Sequence, residues 1–113
     1  MKVQNMTNAN GNKVANQFII REDENEMSGN AVEYFQSYKS IIAKRDKFRP
    51  NKRDRQVWLD EKYWDYSQTT GRYRNQFLGE KKAETQKKID AGIYILTNLN
   101  HIVDYEHSYF NLV

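Results

Sequence analysis

No cysteine occurs in the 113 residues, which excludes disulfides, thiolate metal sites and a thiol nucleophile. The five glycines form neither a phosphate-cradling loop followed by Lys-Ser or Lys-Thr nor a Gly-x-Ser-x-Gly nucleophile elbow. No apolar run approaches the roughly 20 residues that a bilayer-spanning helix needs. The opening Met1-Lys-Val-Gln-Asn-Met-Thr7 has no apolar stretch of the kind that marks a secretory signal. These absences together set the expectation of a reducing, cytoplasmic setting and no membrane. Proline is almost missing as well, and its one occurrence, Pro50, bars a continuous helix or central strand at that point.

What is present is polar but rich in rings. Hydrophobic residues make up 38% and charged residues 29%, so a core must be built from few residues. Aromatics reach 13%, and each buried ring removes a large area from water, which argues for a folded chain. The length fits one domain. The formal charge of +3 is too small to imply a nucleic acid partner by itself.

Residues 1–13 are Asn-rich with a turn signal at Asn10-Gly11, and read as a flexible N-terminal arm ahead of an α+β domain over 14–113. A strand is expected over 14–21, where β-branched and aromatic residues gather. An acidic loop over 22–30 follows. Between 31 and 45, Ala31, Tyr34, Phe35, Tyr38, Ile41 and Ile42 keep helical spacing, whereas their ring and β-branched content suits two strands broken near Ser37–Ser40. Gln56–Asp60 reads as a buried strand. A helix over 70–78 closes at Gly79, a second over 80–91 ends before Gly92, and Ile93–Leu96 reads as a strand. The aromatic tail from His101 is expected to dock on the sheet. The fold class is therefore α+β, a small antiparallel sheet of about four or five strands with two short helices after residue 69.

Chemistry-bearing constellations are few. His101 and His107, with Asp104 and Glu106, are the one cluster with mixed ligand character, but a six-residue separation matches no chelating motif. Ser67, Thr69 and Thr70 near Asp65 are better explained as caps for the amides at a helix start than as nucleophiles. No metal, cofactor or catalytic set is assigned, and binding rather than catalysis is expected.

Basic residues concentrate in 44–55, where seven Lys/Arg stand against two Asp, more net charge than the whole chain carries. Guanidinium groups fork onto phosphates and carboxylates alike, so Lys47, Arg49, Lys52, Arg53 and Arg55 are candidate partner-binding residues. Arg72, Tyr73 and Arg74 join them as a cation–ring–cation triplet.

The string Phe35-Gln-Ser-Tyr38, Ile42-Ala-Lys44, then Leu59 through Leu78 with Trp64-Asp-Tyr-Ser-Gln-Thr-Thr70 at its centre, resembles short uncharacterised proteins of phages and mobile elements of low-GC Gram-positive bacteria. The resemblance implies an aromatic strand ending in Asp-Tyr-Ser-x-Thr-Thr, then an Arg/Lys-rich helix ending in Phe-Leu, and it tips 31–45 towards two strands. This chain departs from the pattern by carrying Lys47–Arg55 where a short turn is expected. The function implied is that of an accessory protein in the bacterial host cytoplasm, one that binds a host defence protein or protein–nucleic acid complex in the manner of an anti-CRISPR inhibitor. A nucleic-acid-binding regulatory role, with contact through the basic loop, is the alternative.

Overall fold

The computed structural model describes residues 1–22, 31–46 and 56–100. Its elements are β1 (Lys2–Thr7), β2 (Lys13–Glu22), β3 (Val32–Ser37), β4 (Ser40–Asp46), β5 (Val57–Asp60), α1 (Gln68–Leu78), α2 (Lys82–Asp90) and β6 (Tyr94–Thr97). The six strands lie in sequence order in one sheet. The first four pairings are antiparallel and β5–β6 is parallel.

The α+β class with two helices stands, while the strand count and the all-antiparallel pairing expected from sequence are corrected. The parallel pair follows from connectivity. Returning to the sheet through α1 and α2 sends β6 in the same direction as β5, the ordinary consequence of a helical crossover. The added strand is β1, in the stretch read as an arm. Asn8 explains it: its side-chain oxygen accepts from the amides of Asn10 and Asn12, both at 3.0 Å, and Gly11 takes the positive φ of 81°. The Asn-rich stretch is thus a hairpin loop, and the strand before it carries too few apolar residues to announce itself.

The choice over 31–45 resolves as two strands around the two-residue turn Tyr38-Lys39. Helical spacing misleads there because both faces of β3 and β4 are largely covered, which hides the period of two. The remaining strands and both helices fall within about two residues of expectation, the usual scatter at element ends. The motif segment is a second correction: the implied aromatic strand stops at Asp60, and residues 61–65 form a turn. The acidic stretch from Asp23, the basic stretch Lys47–Arg55 and the tail from His101, with its histidines, lie outside the described residues.

Residues paired across the ladder share a face. One row runs Gln4, Ile19, Phe35, Ala43, Leu59, Leu96, and its neighbour Lys2, Arg21, Glu33, Arg45, Val57, Tyr94. Both look towards the helices. Phe35, Ala43, Val57, Leu59 and Tyr94 pack there with Tyr73 and Phe77 of α1. The Phe35 and Phe77 rings stack at 5.9 Å. Glu33 bridges Arg21 at 2.9 Å and Arg45 at 3.1 Å, and Arg45 also donates to the carbonyl of Phe77, tying β4 to the last turn of α1. The opposite face carries Val3, Ile20, Tyr34, Lys44, Trp58 and Ile95. Among the described residues no helix is long and apolar enough to cross a membrane.

Candidate functional site

The motif Trp64-Asp-Tyr-Ser-Gln-Thr-Thr70 builds the junction between β5 and α1. Asp60 starts it. Buried at the end of β5, its carboxylate accepts from the amides of Lys62 (3.1 Å), Tyr63 (2.9 Å) and, from beyond β6, Leu99 (2.9 Å). This carboxylate is therefore spent on holding the turn over 61–65. Ser67 ends the turn as the N-cap of α1, accepting from the Thr70 amide at 3.1 Å. The Thr70 hydroxyl, fully buried, meets Ser37 Oγ at 2.9 Å, which fixes the head of α1 to the tip of the β3–β4 hairpin. Capping accounts for Ser67, whereas the Thr70 hydroxyl caps no amide and serves the contact with the hairpin instead.

Arg74 braces the turn from below. It is 1% exposed, and its guanidinium donates to the Trp64 carbonyl (2.7 Å), Asp65 (3.2 Å) and the Asn75 side chain (3.0 Å) while lying 5.1 Å from the Trp64 ring centre. Asp65 also receives Lys82 at 2.6 Å. Partial burial works to raise the Asp65 pKa, but the bonds and charges of Lys82 and Arg74 outweigh it and hold the carboxyl below its ordinary range.

This frame leaves an open cleft of about 730 Å³ between the hairpin tip and the head of α1. Three tyrosines border it. Tyr63 and Tyr66 meet edge to face at 5.7 Å, and across from them stand Tyr38 and the exposed Lys39. Tyr66 is 65% exposed and Tyr38 47%. Tyr38 sits at φ 56° and Asn16, on the same rim, at φ 65°. A positive φ at the first position of a two-residue hairpin turn is glycine's place, and a ring there holds strained backbone. The tip is pinned regardless: the Tyr38 amide donates to the Asn16 carbonyl, and Gln36 Nε2 donates to the Tyr38 carbonyl, both at 2.7 Å. The cleft thus presents flat phenol faces, hydroxyl tips and one ammonium group on a rigid mount. That is equipment for gripping a partner.

A family model matches residues 1–92, most of the chain and the whole of this cleft. The chain belongs to DUF8033, a family of unknown function. No curated protein and no solved structure matches it. The family match takes in the Trp-Asp-Tyr-Ser segment from which the resemblance was drawn.

The predicted binding residues of this DUF8033 protein separate. Lys47, Arg49, Lys52, Arg53 and Arg55 lie outside the described residues. The triplet Arg72-Tyr73-Arg74 does not form one surface: Tyr73 is buried in the core and Arg74 under the turn, so neither side chain is presented to a partner. A helix turns about 100° per residue, so consecutive positions point to different sides. Only Arg72 faces outward, into a hollow of about 600 Å³ bordered by the β1–β2 loop. Sequence reasoning missed Tyr38, Lys39, Tyr66 and Asn16. The available signal was a strand break at Tyr38-Lys39 lacking the Asn or Gly that such a turn prefers.

A second polar cluster lies under α2. Glu80, nearly buried, accepts from Thr85 Oγ1 and Lys88 Nζ, both at 2.6 Å, and from the Tyr94 hydroxyl at 2.9 Å. Desolvation first, then the bond and charge of Glu80, push the Tyr94 phenol up to about 12. The bond to Glu80 raises Lys88 as well, against the pull of its own burial. All members are mutually satisfied, so this is a lock between α2 and β6.

Proposed function

We propose that this DUF8033 protein works by non-covalent binding of a protein partner, gripping it with Tyr38 and Tyr66 at the head of α1. The observation that carries the reading is Tyr38, an exposed ring kept on backbone that glycine would occupy without strain. Strain retained on a rigid scaffold clusters at sites of function. Exposed tyrosines bring large contact area at small entropic cost, which is why interfaces favour them. The resemblance to phage and mobile-element proteins supports the finer identity: an accessory protein that inhibits a bacterial defence nuclease complex of the CRISPR type by occupying its surface in the host cytoplasm.

The test is target cleavage by purified CRISPR-type effector complexes titrated with the wild-type chain and with Tyr38→Gly and Tyr66→Ala. Inhibition by the wild type, weakened about tenfold or more by either change, is expected from the weight of central aromatic anchors. Equal inhibition by all three proteins would remove the cleft from the interface. Failure to inhibit or bind any effector would dismiss the defence role.

One observation favours a second reading, a nucleic-acid-binding accessory protein. On the sheet face away from the helices, Lys44 Nζ stands 4.7 Å from the Trp58 ring centre and 6.0 Å from that of Tyr34. A cation between two rings suits stacked bases along a phosphate chain. Titration with single-stranded DNA and RNA at two salt concentrations separates the readings, since phosphate contacts make affinity fall steeply with salt.

A further inference from the structure

Among the described residues, Arg21, Arg45 and Arg74 each hold a carboxylate, and Arg72 is the arginine that holds none. It is exposed on α1 and borders the hollow of about 600 Å³ whose other wall is the β1–β2 loop. That wall is held in shape, because Asn8 spends its side-chain oxygen on the amides of Asn10 and Asn12. No carboxylate borders the hollow, and none borders the tyrosine cleft. A guanidinium left without an ion pair among amides and hydroxyls is set to receive an anionic group.

The hollow and the cleft follow one another along α1. Thr69 borders the cleft, whereas Arg72, Tyr73 and Gln76 border the hollow. Spacings of three, four and seven residues put all four on one stripe of the helix. From Thr69 to Gln76 that stripe runs about 10 Å, the length of about three extended residues. The sheet side keeps step: β2 gives Asn16 to the cleft, and the loop that leads into β2 walls the hollow.

We propose that the two form one groove for an extended acidic segment of a protein partner, with Arg72 receiving an aspartate or glutamate side chain. This rests on the binding reading of Tyr38 and Tyr66 and adds the chemistry of the occupant. Two features select a peptide over a nucleic acid strand. The polar lining includes Asn10, Asn16, Thr69 and Gln76, whose side chains both donate and accept, as peptide units do. A phosphodiester chain only accepts. The lining also holds just two cations, Lys39 in the cleft and Arg72 in the hollow, too few to track a charge at every nucleotide.

A display library of random peptides of about ten residues, selected on the full chain, tests the inference. Enriched peptides are expected to share one Asp or Glu position. Synthetic copies should bind Arg72→Gln about tenfold or more weakly, and should also lose affinity for Tyr38→Gly and Tyr66→Ala. Selection on Arg72→Glu should turn the shared position to Lys or Arg, a reversal that a merely structural role for Arg72 does not produce. Enrichment without a shared acidic position, or one indifferent to Arg72→Gln, overturns the proposal. If the tyrosine changes still abolish binding in that case, the reading of the cleft survives. Peptides that need Arg72 but neither tyrosine overturn the shared groove and the cleft reading together. No enriched peptide also overturns it, and oligo(dT) binding that Arg72→Gln weakens would then give the groove to nucleic acid.

Discussion

At Tyr38 the competition between backbone and side chain can be measured directly. A non-glycine residue in the left-handed region costs about 1–2 kcal/mol, and glycine there gives back part of that through greater freedom in the unfolded chain. Removing the ring with alanine keeps the strain, while removing it with glycine relieves it. Tyr38→Gly should therefore be more stable than Tyr38→Ala by about 1 kcal/mol in urea unfolding. Both variants should bind the partner equally poorly, since both lack the ring. Equal stability would mean that the turn carries no strain. Gln17 poses the converse case. It is fully buried beside Ser37 on the helix-facing side, and among the described residues neither its amide nitrogen nor its oxygen has a partner. An apolar side chain of similar volume avoids that desolvation, so Gln17→Met should stabilise the fold by about 1 kcal/mol. A loss of stability there would show that the amide is satisfied in solution.

The junction of β5, turn and α1 depends on one guanidinium. Arg74 satisfies the Trp64 carbonyl, Asp65 and Asn75 from a buried position, and no other cation reaches the Trp64 carbonyl among the described hydrogen bonds. Arg74→Ala strips these acceptors and should destabilise by about 3 kcal/mol. Arg74→Lys should recover little, because a point ammonium cannot serve three separated acceptors as a planar fork does. Thermal unfolding of the two variants decides this, and full rescue by lysine would refute the fork argument. Much of this element was legible in the sequence: Ser67-Gln-Thr-Thr70 announces a cap and Gly79 an end. The inward position of Arg74 was not. An arginine flanked by Tyr73 and Asn75 reads as surface until the core partners of Tyr73 and Phe77 are known, since burial of a charge is set by acceptors that the turn supplies only once folded. The same limit hid β1, whose six residues give almost no apolar alternation, and the parallel pairing of β6, which depends on where two helices deliver the chain. The cleft rings were legible as aromatic content, but not as exposed, because period alone does not say which rings the fold leaves out.

Across the whole molecule, ionisable groups tie separate parts of the fold together, and their shifts set its pH range. Glu33 lies at the centre of the sheet. Burial raises its pKa, yet the charges and hydrogen bonds of Arg45 and Arg21 overcome this and hold it below the ordinary carboxylate range. Asp65 under the cleft is likewise lowered. A folded-state pKa below the unfolded one gives stability that is present above the unfolded value and is lost as pH falls through the folded one. Both groups therefore weaken the protein on the acid side, below about pH 4. On the alkaline side, Tyr94 and Lys88 are both raised; the Tyr94 contribution is whole below pH 10 and is lost as pH climbs towards about 12, and that of Lys88 is likewise lost on the alkaline side. Urea unfolding across pH should give a plateau between these limits. Glu33→Gln should flatten the acid limb at the cost of lower stability on the plateau, because both arginines then lose a charged partner. Tyr94→Phe should flatten the alkaline limb while leaving the acid limb unchanged, because the Glu80–Lys88 bridge joins the α1–α2 link to α2 whereas the Arg21–Glu33–Arg45 bridge joins β2, β3 and β4. A Tyr94→Phe variant that also shifts the acid limb would show that the lock under α2 and the bridge across β2–β4 do not act independently.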